Sequence, residues 1–208
     1  MELIHKPKTV NKAKKRVHAL WGFIGTNRTG KSVTALNFAK MYQQSKPENA
    51  IISFDPQGRF ASISDRFIDP ENKNWAVDLH SERNALIILD DYRLINPNPT
   101  PVEGLQKLLY HRADWNLEII YICHNPSLII NLLTYFTTHY FLFYTEAMDG
   151  SFQKKIMNYK LCISGQQLIN RYVKAYDRGE YPHFPFVMVD CENNNLKAFN
   201  FTKRKTVK

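Results

Sequence analysis

Gly25 is followed by four residues and then by Gly30, Lys31 and Ser32, inside the stretch GFIGTNRTGKSVTALNF. This is the spacing G-x-x-x-x-G-K-S, and the chemistry it suits is the holding of a triphosphate. Its glycines let backbone N–H groups converge on phosphate oxygens at a helix N-terminus, where the helix dipole also favours negative charge. Gly25, Thr26, Asn27, Arg28, Thr29, Gly30, Lys31, Ser32 and Val33 therefore form the candidate binding loop. Lys31 is placed to reach the β and γ phosphates and Ser32 to ligate Mg²⁺, so ATP and Mg²⁺ are the expected cofactors. The plainer alternative is a glycine turn carrying a surface lysine.

A loop of this kind needs a second acid to hold the metal, at the end of a buried apolar strand. LIILDD supplies it: Asp90 is the candidate metal-holding residue, and Asp91 is placed to polarise an attacking water. For Asp90 the plainer alternative is a turn or helix cap, and for Asp91 a solvated neighbour. Further on, HRADWNLEIIYICHNPSLI puts Arg112 ahead of a strand and His124 and Asn125 at its C-terminal end, the crevice where parallel sheets place ligands. His124 there suits a γ-phosphate sensor or, more plainly, a satisfied cap or core histidine. Arg112 also reads as a surface salt-bridge residue. Small-molecule kinases share the loop but need an arginine-rich lid to exclude water, and none is apparent. The paired acids suit activation of water better, so hydrolysis coupled to movement is the expected chemistry.

These residues must be positioned by alternating elements. RVHALWGFIG (16 to 25) reads as a buried strand, and KSVTALNFAKMYQQS follows at helical spacing. NAIISFDPQG and NALIILDDY are two further strands, the first closed by a Pro/Gly turn. PVEGLQKLLYHRADW reads as a helix, LEIIYIC as a strand, PSLIINLLTYF as a helix with Pro126 near its start, and THYFLFYTE as a fifth strand. Such alternation predicts an α/β fold with a mainly parallel sheet covered by helices on both faces. NRYVKAYD reads as a strand end and FPFVMVDCENNNLKAFNF as a hairpin over Asn-rich turn residues.

Length and charge set the frame. With 208 residues, one domain is expected: a basic N-terminal arm over 1 to 15, then a single unit over 16 to 208 whose C-terminal β extension begins near 150. The net charge of +9 points to a polyanionic partner, with nucleic acid ahead of an anionic membrane. Part of that charge lies in HKPKTVNKAKKR and TKRKTVK, which also read as solvated tails. Lys154, Lys155 and Lys160 form a further basic group, either a DNA-facing patch or a solvated face. Cys123, Cys162 and Cys191 lack metal or disulfide-framework spacing and fit a reducing compartment. No apolar run reaches the roughly 18 residues of a membrane span, and VHALWGFIG runs straight into the loop, so it does not read as a removable leader.

Four segments in order, GTNRTGKS, FDPQGRF, ILDD and HRADWNLEIIYICHNPSLI, resemble the FtsK-HerA superfamily of DNA-pumping P-loop ATPases. The last is particularly similar to the zonula-occludens-toxin-like phage assembly ATPases and to their viral packaging relatives. RYVKAYD looks like the strand that follows the core in that branch. The resemblance implies a RecA-like core in a homo-oligomeric ring, usually a hexamer, that threads DNA. It also implies that Arg112 serves as a finger at a neighbour's nucleotide and His124 occupies the sensor position. Members commonly carry Asp-Glu where this chain has Asp90-Asp91, and glutamine where it has His124. Lacking the membrane span of the toxin-like proteins, the chain is expected to be a viral genome-packaging ATPase that docks at a capsid or portal vertex in the host cytoplasm. A phage extrusion ATPase is the closest alternative and a small-molecule kinase the next.

Overall fold

The computed structural model describes residues 18–69, 71–91, 102–125, 129–145, 159–177 and 185–200. The basic arm, the tail from 202, Lys154, Lys155 and Pro126 lie outside the described residues. Apolar runs become strands β1 (Leu20–Ile24), β2 (Ala50–Phe54), β4 (Ala85–Leu89), β5 (Leu117–Cys123) and β6 (His139–Leu142). A two-residue strand, β3 (Arg66–Phe67), and the C-terminal pair β7 (Phe186–Asp190) and β8 (Asn195–Phe199) complete an eight-stranded sheet. Its order is β3-β2-β4-β5-β1-β6-β7-β8. Strands β1 to β6 pair in parallel, whereas β7 and β8 add antiparallel.

Two apolar cores follow from the alternation along these strands. On one face Leu20, Ile87, Tyr121 and Leu142 pack beneath the helices α2 (Trp75–Asp78), α3 (Leu105–His111), α4 (Asn131–Phe136) and α5 (Tyr159–Asp177). On the other face Phe23, Ile88, Ile122 and Phe141 meet α1 (Lys31–Ser45), whose Ala35 and Ala39 let the helix lie close to the sheet. Strands buried on both faces read as continuous apolar runs, which is why ALIIL and LEIIYIC were legible. Lys46 pairs with Glu118 and ties the far end of α1 to β5.

One expectation is corrected. NRYVKAYD is not a strand: its residues continue α5, which starts at Tyr159. The buried positions of that helix, Cys162, Gly165, Gln166 and Ile169, recur every three or four residues. A window confined to its last turns therefore misses the period that decides the element. Gly165 is needed there, because a Cβ would meet Val187 Cγ1 at 3.0 Å. The expected C-terminal hairpin forms, β7 with β8, and it continues the main sheet because β7 also pairs with β6. Among the described residues no helix is long and apolar enough to cross a membrane.

Candidate nucleotide site

Because β5 lies between β1 and β4, the loops leaving the C-terminal ends of these three parallel strands converge at one edge of the sheet. The loop after β1 is fixed first. Thr26 N–H donates to Tyr144 C=O at 2.8 Å, Thr26 Oγ1 donates to the same oxygen at 3.1 Å, and Gly25 N–H reaches Cys123 C=O at 3.3 Å. Gly25 has no room for a side chain, since a Cβ would lie 2.6 Å from Phe143 Cβ and 3.0 Å from Tyr144 O. Arg28 and Gly30 take left-handed backbone, φ 60° and 87°, which turns the chain into α1. The helical ladder starts with Thr34 N–H to Gly30 C=O, so the N–H groups of Lys31, Ser32 and Val33 precede it at the positive end of the helix dipole.

Lys31 is only 3% exposed, which excludes a glycine turn with a surface lysine. Its Nζ donates to Thr26 C=O at 2.6 Å, folding the side chain back over its own loop. Burial pushes its pKa down to about 8. Asp90, at the end of β4, is 1% exposed and accepts a 3.2 Å hydrogen bond from Ser32 Oγ. Burial raises its pKa even though Arg59 and Ser32 oppose the rise. Its Oδ2 is buried without a hydrogen-bond partner among the described residues, as suits a carboxylate oxygen meant for a cation. The donor set of one serine hydroxyl and one carboxylate is oxygen only, which fits Mg²⁺.

Asp91 sits in left-handed backbone, φ 52°. Its Oδ2 lies 3.6 Å from His124 Nε2, and both side chains are largely buried. His124 thus stands at the end of β5, beside Asp91 and on the cavity that the glycine loop lines. Burial lowers its pKa, with the Lys31 charge the next cause, and its Nδ1 is buried without a hydrogen-bond partner among the described residues. A cavity of about 460 Å³ opens here, lined by residues 27–33 together with Gln57, Arg59 and His124.

Arg112 is not brought to this cavity in its own chain. Its guanidinium donates to the carbonyls of His18 at 3.1 Å, Leu109 at 2.7 Å and Phe136 at 3.5 Å, and lies 5.5 Å from the Phe136 ring centre. His18 and Phe136 precede β1 and β6, so Arg112 clasps the N-terminal ends of the strands whose C-terminal ends carry the site. The two ends are separated by roughly 15–20 Å of strand. An arginine absent from the sequence reading takes a place at the site instead. Arg59, from the FDPQGRF turn after β2, donates from Nη1 to Ser32 Oγ at 2.7 Å and stands 3.5 Å from Asp90 Oδ2. Its signal was present: a glycine-bearing turn at the end of a parallel strand, with an arginine directly behind it.

No protein-family model matches the chain, nor does the sequence of any curated protein. Solved structures do match. The genome packaging NTPase B204 of Sulfolobus turreted icosahedral virus 2, in complex with ATP-gammaS, aligns with a TM-score of 0.59 at 11% identity, over 87% of this chain and 96% of that one. The N-terminal domain of zonular occludens toxin from Neisseria meningitidis aligns at 0.55 and 11% identity, over 92% and 97%. ATPases 2 and 3 of Thermomonospora curvata EccC align at 0.55 and 12% identity, over 91% of this chain and 37% of that one. The chain therefore shares the fold of these NTPase and toxin-domain structures, a mostly parallel sheet flanked by helices.

Proposed function

We propose that the chain is an ATP-hydrolysing motor that moves DNA, of the viral genome-packaging type. The observation that carries this reading is the junction of the phosphate loop with the acid strand, Ser32 to Asp90, in a fold shared with a viral packaging NTPase. Thr26 to Val33 would hold the triphosphate through backbone N–H groups, and Lys31 would swing from Thr26 C=O to the β and γ phosphates. Ser32 and Asp90 would hold Mg²⁺, which when bound neutralises charge on the transferred phosphoryl group. Asp91 would orient the attacking water and accept its proton, with His124 beside it sensing the γ phosphate.

Arg112 enters this reading only through assembly. A neighbour's cavity facing the Arg112 end of this sheet would receive the guanidinium as a finger, and isolated chains would then turn over about 10³-fold or more slowly than the ring. A homo-oligomeric ring, hexameric by the resemblance, and transient docking at a capsid or portal vertex in the host cytoplasm belong to the same proposal. DNA would be held through its phosphates by lysines and arginines without base reading, because a packaging motor accepts any sequence. Lys160, exposed on α5, is the member of the basic cluster that falls among the described residues.

The test is the ATPase rate against protein concentration, with and without DNA, for the wild type and Lys31→Ala. The motor reading expects rates per chain that rise with concentration and with DNA, a steep loss of DNA affinity with salt, and no turnover in Lys31→Ala. Efficient phosphorylation of a small acceptor by the monomer would replace it with a kinase. Turnover that ignores DNA altogether would make the chain a nucleotide-dependent scaffold.

A further inference from the structure

The two groups assigned above to the metal are already bridged by a side chain of the protein itself. Arg59 Nη1 donates to Ser32 Oγ at 2.7 Å and lies 3.5 Å from Asp90 Oδ2, while Ser32 Oγ donates onward to Asp90 Oδ1 at 3.2 Å. A guanidinium only donates and always carries its charge, so it serves the oxygen lone pairs that a divalent cation would otherwise take. The root of the residue is fixed. Asp55 accepts from Arg59 N–H at 3.0 Å through Oδ1 and from Phe60 N–H at 2.6 Å through Oδ2, and the Phe60 ring is fully buried. The head is not fixed in the same way: the Arg59 side chain is 41% exposed and lines the cavity beside the phosphate loop.

We propose that Arg59 is a tethered counter-cation that bridges Ser32 and Asp90 in the metal-free protein and turns into the phosphate cavity when a metal–nucleotide complex binds. This rests on the reading of Ser32 and Asp90 as the metal-holding pair of an ATPase. Like charges at contact distance in a partly buried site repel by several times the thermal energy, so a divalent cation and this guanidinium do not share one carboxylate. Released from Asp90, the head remains in a cavity also lined by the basic residues Arg28, Lys31 and His124, and a bound nucleotide supplies the anionic oxygens it then pairs with. Metal entry is thereby coupled to nucleotide entry. Without phosphates to receive Arg59, displacing it leaves a guanidinium crowded among other cations. After the products depart, Arg59 returns and closes the site to free metal.

The proposal is tested with Mn²⁺ as the probe, its free concentration followed by electron paramagnetic resonance, on the full chain as wild type, Arg59→Gln and Arg59→Lys. Without nucleotide, Arg59→Gln should bind Mn²⁺ about tenfold tighter than wild type or more, and Arg59→Lys should fall between them. With a saturating non-hydrolysable ATP analogue the advantage of Arg59→Gln should disappear, because the wild-type arginine then has phosphates to pair with. Equal Mn²⁺ affinity of wild type and both variants in the absence of nucleotide overturns the proposal. Should Arg59→Gln fail to fold, Arg59→Lys alone decides by the same comparison. Binding of a fluorescent ATP analogue to wild type and Lys31→Ala separates the two readings. No nucleotide binding by wild type defeats the ATPase reading, whereas Lys31-dependent binding with Mn²⁺ affinity indifferent to Arg59 defeats only this one.

Discussion

Ser32 Oγ donates to Asp90 Oδ1 at 3.2 Å across a separation of 58 residues, joining the first turn of α1 to the end of β4. Neither strand is the other's neighbour, since β5 lies between β1 and β4. The hydrogen bond therefore spans the end of β5, and His124, leaving that strand, stands 3.6 Å from Asp91, the residue after Asp90.

The state of Asp90 sets up a first prediction. Its carboxyl pKa is raised by burial, so the stability this group contributes is lost as pH rises through the raised value, and the ionised form is the one that burial disfavours. Asp90→Asn keeps the size and an acceptor for Ser32. Its apo melting temperature should equal or exceed that of wild type, by roughly 2–4 °C for a gain of about 1 kcal/mol in a chain of this size. Stabilisation by Mg²⁺ and ATP together should vanish. Differential scanning calorimetry with and without the ligands reads both effects, and a large loss of apo stability would contradict the first.

Lys31 gives a pH signature of opposite chemistry. Burial holds its pKa near 8, below the ordinary lysine value. The folded apo chain thus sheds this proton before the unfolded chain does, and this group's contribution to stability rises between about pH 8 and 10.5. A triphosphate favours the charged form. Calorimetric titration of an ATP analogue at pH 8.5, repeated in buffers of different ionisation enthalpy, should show net proton uptake of about half a proton or more per site. Lys31→Ala, which lacks the amine, should show none from this source.

Gly25 tests how tightly the loop is set against β6. A methyl group there meets Phe143 Cβ at 2.6 Å and the Tyr144 carbonyl at 3.0 Å, one of them on the backbone oxygen that anchors Thr26. Gly25→Ala should weaken ATP-analogue binding by about tenfold or more and lower the melting temperature, because the loop must move as a unit. Isothermal titration beside a thermal melt distinguishes this from a local loss of affinity alone.

Arg112 is both a clasp and a proposed finger, and the two roles separate. Its three carbonyl bonds and the Phe136 ring are lost in Arg112→Ala, which should cost on the order of 2 kcal/mol of folding stability by denaturant titration. If it also completes a neighbour's site, mixing inactive Arg112→Ala with inactive Lys31→Ala should restore part of the ATPase activity. Each mixed pair then unites an intact loop with an intact arginine. Mixtures that stay as inactive as their components assign Arg112 the clasp alone.

His124 tests the sensor position. Burial lowers its pKa below the ordinary value of about 6.5, so it is neutral at physiological pH. On the proposed sensor reading the position uses a neutral, hydrogen-bonding side chain, and glutamine supplies one. His124→Gln should retain most of the ATPase rate while His124→Ala loses about tenfold or more. Equal loss in both would place the imidazole itself in the chemistry.

The sequence alone marked the core parallel strands, α1 and the glycine loop between β1 and α1. GTNRTGKS is local chemistry, with its conformation encoded in glycines and a following helix, and the strands buried on both faces were continuous apolar runs that no other element explains. LIILDD likewise carried its acid to the end of a strand. What only the tertiary structure decided is which ends meet. Strand order is set by packing among runs of nearly identical composition, so nothing in the local sequence said that β2 lies beside β4 and brings Arg59 to Asp90. The same order carried Arg112 to the opposite end of the sheet, onto the carbonyls of His18 and Phe136. The α5 helix, too, was settled by the face it buries against β7 rather than by its last turns. Charges near in sequence to a motif are not thereby near in space, because the side-chain direction and the strand neighbour are both non-local.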